Sequence, residues 1–197
     1  MASLLRAKVA IPYHGTTREG FLKLLLLLLT ATALADNPPG PGVGDDALLF
    51  SLPAINEEVA VSLVRNDHVG LGDLTGPLAG YPSQAVVLYF FSRSSGGDGL
   101  STLNRCARKY QRQDVRFVAI SIDQGDLAVL SEWVRGQRLS FPVLRDNHQI
   151  VSSRYGVEEV PRAYVLDSDG RITAIGAPET EELEADVEAA LGSLLGE

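Results

Sequence analysis

The single cysteine, Cys106, has the greatest capacity for covalent chemistry of any side chain in this 197-residue sequence. A thiolate is a nucleophile and a soft metal ligand, but one cysteine can form neither an internal disulfide nor a dithiol. The histidines, His14, His68 and His148, are scattered, and none stands at metal-ligand spacing from the cysteine. We therefore expect no metal site, and no residue pattern indicates a cofactor.

The neighbours of Cys106 predict where its thiol points. Leu100, Leu103 and Tyr110 recur at helical spacing in a helix predicted over Gly99–Gln111. Cys106 follows Leu103 by three residues and precedes Tyr110 by four, which places it on the apolar face. This position favours a buried, inert thiol, because a cysteine deep in a helix lacks the positive helix end that lowers a thiol pKa. An exposed thiol that pairs with another chain is the alternative.

A polar stretch, Ser92–Gly99 with the sequence SRSSGGDG, precedes that helix. Its hydroxyls at Ser94 and Ser95 would need a histidine base within hydrogen-bond reach to act as nucleophiles. No G-x-S-x-G motif surrounds them. Asp98 is expected to cap the helix rather than to attack a substrate. We interpret the stretch as a polar loop rich in glycine and serine.

Composition restricts the domain count and the class of partner. The chain is 45% hydrophobic and has a formal net charge of -8. Nucleic-acid binding requires a basic surface that displaces counterions from phosphates, so the acidic balance argues against a nucleic-acid partner. The length suits one domain with its own core and a tail, since domains most often have roughly 100–150 residues.

The first 35 residues predict an export signal. A basic segment precedes the leucine run Leu24–Leu29, and the small-x-small pattern over residues 33–35 (ALA) predicts cleavage before Asp36. An uncleaved anchor is the alternative, although the apolar run Leu24–Ala35 is shorter than the about 20 residues that span a bilayer. We expect a protein exported to the periplasm or the medium, with membrane association only through an uncleaved signal.

Residues 36–46 (DNPPGPGVGDD) predict a flexible linker, because proline, glycine and aspartate dominate them. Residues 47–197 then alternate strand and helix patterns, which indicates an α/β domain with a mixed sheet. In the helix predicted over Asp126–Gly136, Leu127, Leu130 and either Trp133 or Val134 are expected on the inner face. The predicted elements are a hairpin over Leu48–Leu63 that turns at residues 56–58, strands over Ala85–Phe91 and Val115–Ile122, a helix over Asp126–Gly136, a strand or turn over Phe141–Leu144, a second hairpin of Ala163–Asp167 and Arg171–Ile175, and a helix over Pro178–Leu195.

Several of these segments, in this order, resemble the redoxins. That group spans the periplasmic thioredoxin-like thiol–disulfide oxidoreductases and the alkyl hydroperoxide reductase/thiol-specific antioxidant family. The resemblance implies a thioredoxin-like fold with a central mixed sheet flanked by helices and an N-terminal β-hairpin. It rests on Phe50–Leu63 (the opening hairpin), Ala85–Phe91 (the strand before the active site), Val118–Asp123 (VAISID), Phe141–Leu144 (FPVL) and Tyr155–Ile172 (YGVEEVPRAYVLDSDGRI).

The resemblance fails at the active site that it implies. Oxidoreductases of this group place a C-x-x-C pair where the strand meets the next helix, because the helix end stabilises the attacking thiolate. Counting from Phe90 and Phe91, Ser95 and Asp98 take the two cysteine positions, and counting back from the helix shifts this by about two residues. A peroxiredoxin would need a T-x-x-C arrangement instead, and that is missing too.

The resemblance makes Val160–Pro161 the intact part of the site, with a cis peptide bond beside a groove for an extended segment. The proline has either this binding role or a purely structural one. We therefore expect a degenerate, redox-inactive redoxin that acts as a binding or scaffold module for a protein or peptide. The alternative is a thiol-dependent oxidoreductase or antioxidant protein that works through Cys106 alone.

Overall fold

The computed structural model describes residues 40–77, 79–176 and 180–196, which belong to one compact unit, Asn37–Glu197. The predicted signal, its anchor alternative and residues 36–39 of the predicted linker lie outside the described residues. Within the described ranges, no helix is both long enough and apolar enough to cross a membrane.

The N-terminal hairpin exists, but its predicted boundaries are wrong. Strand β1 (Ser51–Pro53) pairs antiparallel with β2 (His68–Gly70), and helix α1 (Glu57–Val64) lies between them in the sequence. Asn56, predicted to turn the chain between strands, instead donates to the Phe141 carbonyl at 3.0 Å and accepts from the Val143 amide at 2.7 Å. The two short apolar runs around residues 56–58 suggested two strands, but the second run is a helix that buries Ala60 and Val64, four residues apart on one face.

A five-stranded mixed sheet forms the centre of the domain, with the strand order β5-β4-β3-β6-β7. The first three of these are parallel to one another, and the last two run antiparallel to their neighbours. Both faces of the sheet are covered, so every residue of β3 is buried, which explains its uninterrupted apolar sequence. The predicted α/β fold with a mixed sheet is confirmed. The strands are β3 (Ala85–Phe91), β4 (Val115–Ser121), β5 (Val143–Arg145), β6 (Arg162–Asp167) and β7 (Ile172–Gly176).

Helices cover the two faces of the sheet and form two apolar clusters. The odd-numbered residues of β3 face the third, fourth and sixth helices, and its even-numbered residues face the first, second and fifth. The pattern follows from the alternation of side chains across a strand. The remaining helices are α2 (Leu71–Leu74), α3 (Arg93–Lys109), α4 (Leu127–Gln137), α5 (Ile150–Arg154) and α6 (Thr180–Leu195).

Two helix predictions need correction. Helix α3 begins at Arg93 rather than Gly99, so the predicted polar loop forms its first two turns. Two contacts outside the helix help to hold these turns in place: the Arg93 amide donates to Asp123, and Gly99 packs against strand β3. In α4, Leu130 and Val134 are buried as predicted, but Leu127, the first residue of the helix, is exposed, so its predicted place on the inner face is wrong.

Candidate functional site

The edge of the sheet where β3 ends gathers the residues that the sequence singled out. In the register of the sheet, Phe91 lies opposite Ser121 of β4, and Phe90 lies opposite Arg162 of β6. Ser92, which begins helix α3, therefore leaves the sheet beside Pro161, which enters it. Ligands of open α/β sheets bind at such carboxyl edges of parallel strands, so we take this edge as the candidate site.

The start of α3 presents hydroxyls rather than thiols. Ser92 is the N-cap residue, and its Oγ lies 2.9 Å from the Oγ of Ser94 and 2.8 Å from that of Ser95. Asp98, predicted to cap the helix, lies in its second turn and is exposed, because the helix starts earlier than expected. The positions that the fold brings together at the helix start are thus Ser92 and Ser95, three residues apart, and not Ser95 and Asp98.

A carboxylate occupies the positive end of α3. Asp123 Oδ2 accepts from the backbone amide of Arg93 at 3.0 Å and from the Ser121 hydroxyl at 2.8 Å. The Arg93 guanidinium lies 3.7 Å from the same carboxyl group. A negative charge is stabilised at a helix N-terminus, so this end of the dipole is already used. Sequence reasoning noted Asp123 as the end of VAISID but missed its partner Arg93, because 30 residues separate the two.

No described histidine serves the serines as a base. His68 Nδ1 lies 2.9 Å from an Asp67 carboxylate oxygen, and His148 Nε2 lies 3.2 Å from Asn147 Nδ2. No hydrogen bond joins either imidazole to a hydroxyl of the helix start. A serine-hydrolase mechanism therefore has no proton acceptor among the described histidines.

The Val160–Pro161 peptide bond is cis. Pro161 is buried, whereas Val160 and Arg162 are half-buried at the surface of the edge. The backbone of this segment thus borders the same edge as the start of α3. The arrangement offers main-chain polar groups to a ligand in an extended conformation.

Cys106 lies far from this edge. It stands 14 residues after Ser92, which corresponds to about 20 Å along the helix axis. The predicted burial is confirmed, since only 1% of the residue is exposed and it belongs to the cluster between the sheet and helix α6. Burial, and after it the carboxylates of Glu184 and Glu188, raises the pKa of the Cys106 thiol to about 11. A thiol with this pKa is protonated at neutral pH and does not attack a disulfide.

The two glutamates come from helix α6 and are ion-paired with α3. Arg105 lies 2.8 Å from Glu184, and Lys109 lies 2.7 Å from Glu188. The Cys106 sulfur and the two carboxylates lie within 4.8 Å of one another, which is close enough to consider a metal ion. A cation entering there would have to displace Arg105 and Lys109, so the ion pairs argue against this group as a metal site.

Tyr89 is a neighbour of the site that the sequence did not indicate. The residue is 1% exposed, and its hydroxyl has no hydrogen-bond partner. A methyl group added at Gly99 would collide with this hydroxyl, so Gly99 is the residue that lets α3 approach the sheet. Burial, with a smaller contribution from Asp98, raises the pKa of Tyr89 far above the ordinary tyrosine range.

Comparison with protein families matches residues 43–175, more than half of the chain, to the AhpC/TSA family. The chain belongs to this family. The redoxin resemblance is therefore confirmed at the level of the family. At the start of α3, within the matched range, this chain has serines and no thiol.

Individual proteins agree with the assignment. The chain is 33% identical over 84 residues to the thiol-disulfide oxidoreductase ResA of Bacillus thuringiensis (strain Al Hakam), an alignment that covers 42% of this chain and 48% of that protein. The chain thus spans about half the length of the first curated relatives it matches. A ResA from Oceanobacillus iheyensis is 29% identical over 171 residues and 82% of both chains.

A solved structure confirms the fold. A candidate thiol:disulfide interchange protein DsbE from Chlorobium tepidum superposes with a TM-score of 0.64, over 79% of this chain and 99% of that one. The sequence identity of 22% shows the fold alone. The predicted thioredoxin-like fold is therefore confirmed.

Proposed function

We propose that this protein is a redox-inactive member of the AhpC/TSA family that binds a protein or peptide partner at the edge beside Pro161. The observation that carries the proposal is the separation of thiol and helix start. The start of α3 holds Ser92 and Ser95, while the single thiol lies about 20 Å away and is buried.

The chemistry of disulfide exchange supports the inactive assignment. A thiolate attacks one sulfur of the substrate, the other sulfur leaves as a thiolate, and a second protein thiol then attacks the mixed disulfide to release the reduced substrate. A serine hydroxyl forms no bond of this kind and is a poor nucleophile near neutral pH. With one cysteine in the chain, the second step also lacks its resolving thiol.

The alternative is a thiol-dependent oxidoreductase or antioxidant activity through Cys106. The family assignment and the ResA relatives favour it. It would require α3 and α6 to separate, an external thiol as the resolving group, and a thiolate at a position where the pKa is about 11. The burial of Cys106 argues against each of these steps at neutral pH.

The partner class follows from the edge itself. Strand β3 ends there and β6 begins there, Pro161 and the half-buried Val160 border it, and the polar start of α3 lies at the same edge. An extended peptide fits such an edge, because its main chain bonds with free backbone groups and its side chains rest on the rim. A purely structural role for Pro161 is the competing interpretation.

Export is part of the same proposal, and its support is the leucine run and the cleavage pattern at residues 33–35. N-terminal sequencing of the protein from the periplasm or medium should begin at Asp36. An intact Met1 terminus on cytosolic protein would refute export.

Turnover assays test the inactive assignment directly. We expect no insulin reduction and no peroxide consumption above the rate of a Cys106→Ala variant, with dithiothreitol as the reductant. Turnover that Cys106→Ala abolishes would instead establish the alternative. A thiol reagent that modifies Cys106 only after denaturation would agree with the proposal.

Peptide selection tests the binding role. A displayed library of random peptides, selected on the folded protein, should enrich sequences whose binding is lost in a Val160→Asp variant. Val129→Asp, at an exposed position on α4, is the matched control and should retain binding. Enrichment that both variants lose equally, or no enrichment at all, would remove the edge as a peptide site.

A further inference from the structure

We propose that a pocket between strand β1 and helix α5 binds a small carboxylate with an apolar body. The cavity has a volume of about 310 Å³. It lies beyond the carboxyl end of β5, two strands away from β3 in the sheet, and it shares no lining residue with the edge beside Pro161. Its principal lining residues are Phe50, Leu52, Arg145, Ile150 and Arg154.

Two arginines give the pocket its positive charge. No carboxylate oxygen of the described residues lies within 4.0 Å of Arg145 or Arg154, although the protein has a net charge of -8. Their visible bonds go to neutral carbonyls: Arg145 donates to Gly125 at 2.9 Å and Arg154 to Leu49 at 3.1 Å. Two arginines therefore line one cavity without an ion pair to either of them, a condition that favours an anionic ligand.

One donor of Arg145 lacks a partner. Its Nε is buried and makes no hydrogen bond. Buried polar groups are nearly always paired, so this unpaired donor adds to the cost of burying the guanidinium without an anion. A guanidinium has donors in a planar fork that matches the two oxygens of a carboxylate.

The one carboxylate that lines the pocket is already occupied. Asp146 is 3% exposed, and its two oxygens accept from the backbone amides of Ile150 at 2.9 Å and Ser152 at 2.8 Å. It caps the start of α5 and does not pair with either arginine. The amides compensate part of its charge, so Asp146 offsets the charge of the two arginines only in part.

Apolar side chains determine the rest of the ligand. Phe50, Leu52 and Pro53 form one side, and Ile150, of which 61% is exposed, forms part of the other. A cavity near the lower end of the roughly 300–1,000 Å³ typical of ligand pockets suits a short chain rather than a large molecule. A carboxylate of about six carbons combines the charge and the apolar area that these walls complement.

Hexanoate and its neutral analogue hexanamide test this pocket in the full chain. Calorimetry at pH 7.5 should show saturable binding of hexanoate at one site and binding of hexanamide at least tenfold weaker. Arg145→Met should weaken hexanoate binding at least tenfold. Arg135→Met, on the exposed surface of α4, is the matched control and should leave it unchanged.

A second measurement keeps the proposal testable if Arg145→Met fails to fold. Hexanoate added to the wild-type protein should shift the amide NMR resonances of Leu52, Arg145 and Ile150 before any others. Equal binding of hexanamide, full binding by Arg145→Met, shifts confined to other regions, or no binding at millimolar hexanoate would each overturn the proposal. Because this pocket is separate from the edge beside Pro161, these results do not depend on the peptide-binding test.

Discussion

The start and the middle of helix α3 differ in position and in residue type, and the difference shows what thiol exchange requires of this fold. The start has the right position: it lies at the sheet edge, at the positive end of a helix, with two hydroxyls 2.8 Å apart at Ser92 and Ser95. The middle has the right atom, the thiol of Cys106, but buries it beside two carboxylates. Neither region alone meets both requirements of thiol exchange.

The comparison shows that reactivity depends on surroundings as much as on residue type. At the start of α3, a thiol would meet the helix dipole, although Asp123 already uses part of it. At position 106 the same group meets apolar side chains, Glu184 and Glu188, all of which favour the protonated form.

The largest effect is expected from moving the chemistry to the start of α3. A Ser92→Cys/Ser95→Cys variant should form a disulfide and reduce insulin in the presence of dithiothreitol, because the two side-chain oxygens are already in contact at a helix N-terminus. We expect turnover to rise from background to a measurable rate, and to rise further when Asp123→Asn removes the nearby negative charge.

The matched control places the pair one turn later. Ser95→Cys/Asp98→Cys has the same spacing but lies within the helix, where it lacks the free amides of the first turn. It should remain inactive. Equal turnover of the two variants would show that the helix start is not special in this protein.

The next largest effect concerns the packing that holds the start of α3 on the sheet. Gly99→Ala should lower the free energy of unfolding by about 3 kcal/mol, since the new methyl group collides with the Tyr89 hydroxyl and ring. Gly97→Ala, in the same helix, meets only Trp133 at 4.0 Å and should raise stability by about 0.5–1 kcal/mol. Urea denaturation compares the two, and similar losses would contradict the packing argument.

The middle of α3 should make the free energy of unfolding depend on pH through Cys106. The pKa of Cys106 is about 11 in the folded protein against an ordinary 9.0, so the fold favours the protonated thiol. The resulting stability is fully present below pH 9 and is lost as the pH rises through about 11. Between pH 8 and about pH 10.5, the wild type should lose about 2 kcal/mol more unfolding free energy than Cys106→Ala.

Urea titrations at the two pH values measure this difference. The tyrosines also titrate at high pH, but they are common to both proteins and cancel in the comparison. If wild type and Cys106→Ala respond alike, the thiol is not buried as described and the redox alternative gains support.

The smallest effect is expected at Tyr89, which lies beneath the helix between the two regions. Its hydroxyl has no partner, so Tyr89→Phe should leave the free energy of unfolding within about 0.5 kcal/mol of the wild type or raise it. Tyr164→Phe is the control, because its hydroxyl donates to the Tyr155 carbonyl at 2.9 Å and its loss should cost about 1 kcal/mol. The reverse order in urea denaturation would indicate a hidden partner of Tyr89.

Long apolar strands were predictable, whereas short elements were not. Ala85–Phe91 is a buried strand as predicted, since its seven apolar residues suit no exposed position. The segment over Glu57–Val64 was wrongly predicted as part of a hairpin, and helices α2 and α5 were missed. Elements of four or five residues show too little periodicity to be recognised. The start of the Glu57–Val64 helix depends on a distant partner, since Asn56 donates to the Phe141 carbonyl.

The candidate site was predictable only in part. The sequence indicated Ser94, Ser95, Asp98, Val160 and Pro161, and the structure places the segments that contain them around one edge. It did not indicate Ser92 as the partner of Ser95, because that depends on where the helix begins.

The sequence by itself determined that this chain has no internal dithiol. A chain with one cysteine has no internal dithiol in any fold, and the patterns of its strands were enough to indicate the redoxin architecture. Only the tertiary structure decided the protonation state of that cysteine and the existence of the pocket between β1 and α5. Cys106 meets Glu184 and Glu188 nearly 80 residues later, and Phe50 shares a cavity with Arg145. Such long-range encounters set local charge and solvent access, and those quantities, rather than residue identity, fix a pKa or a ligand preference.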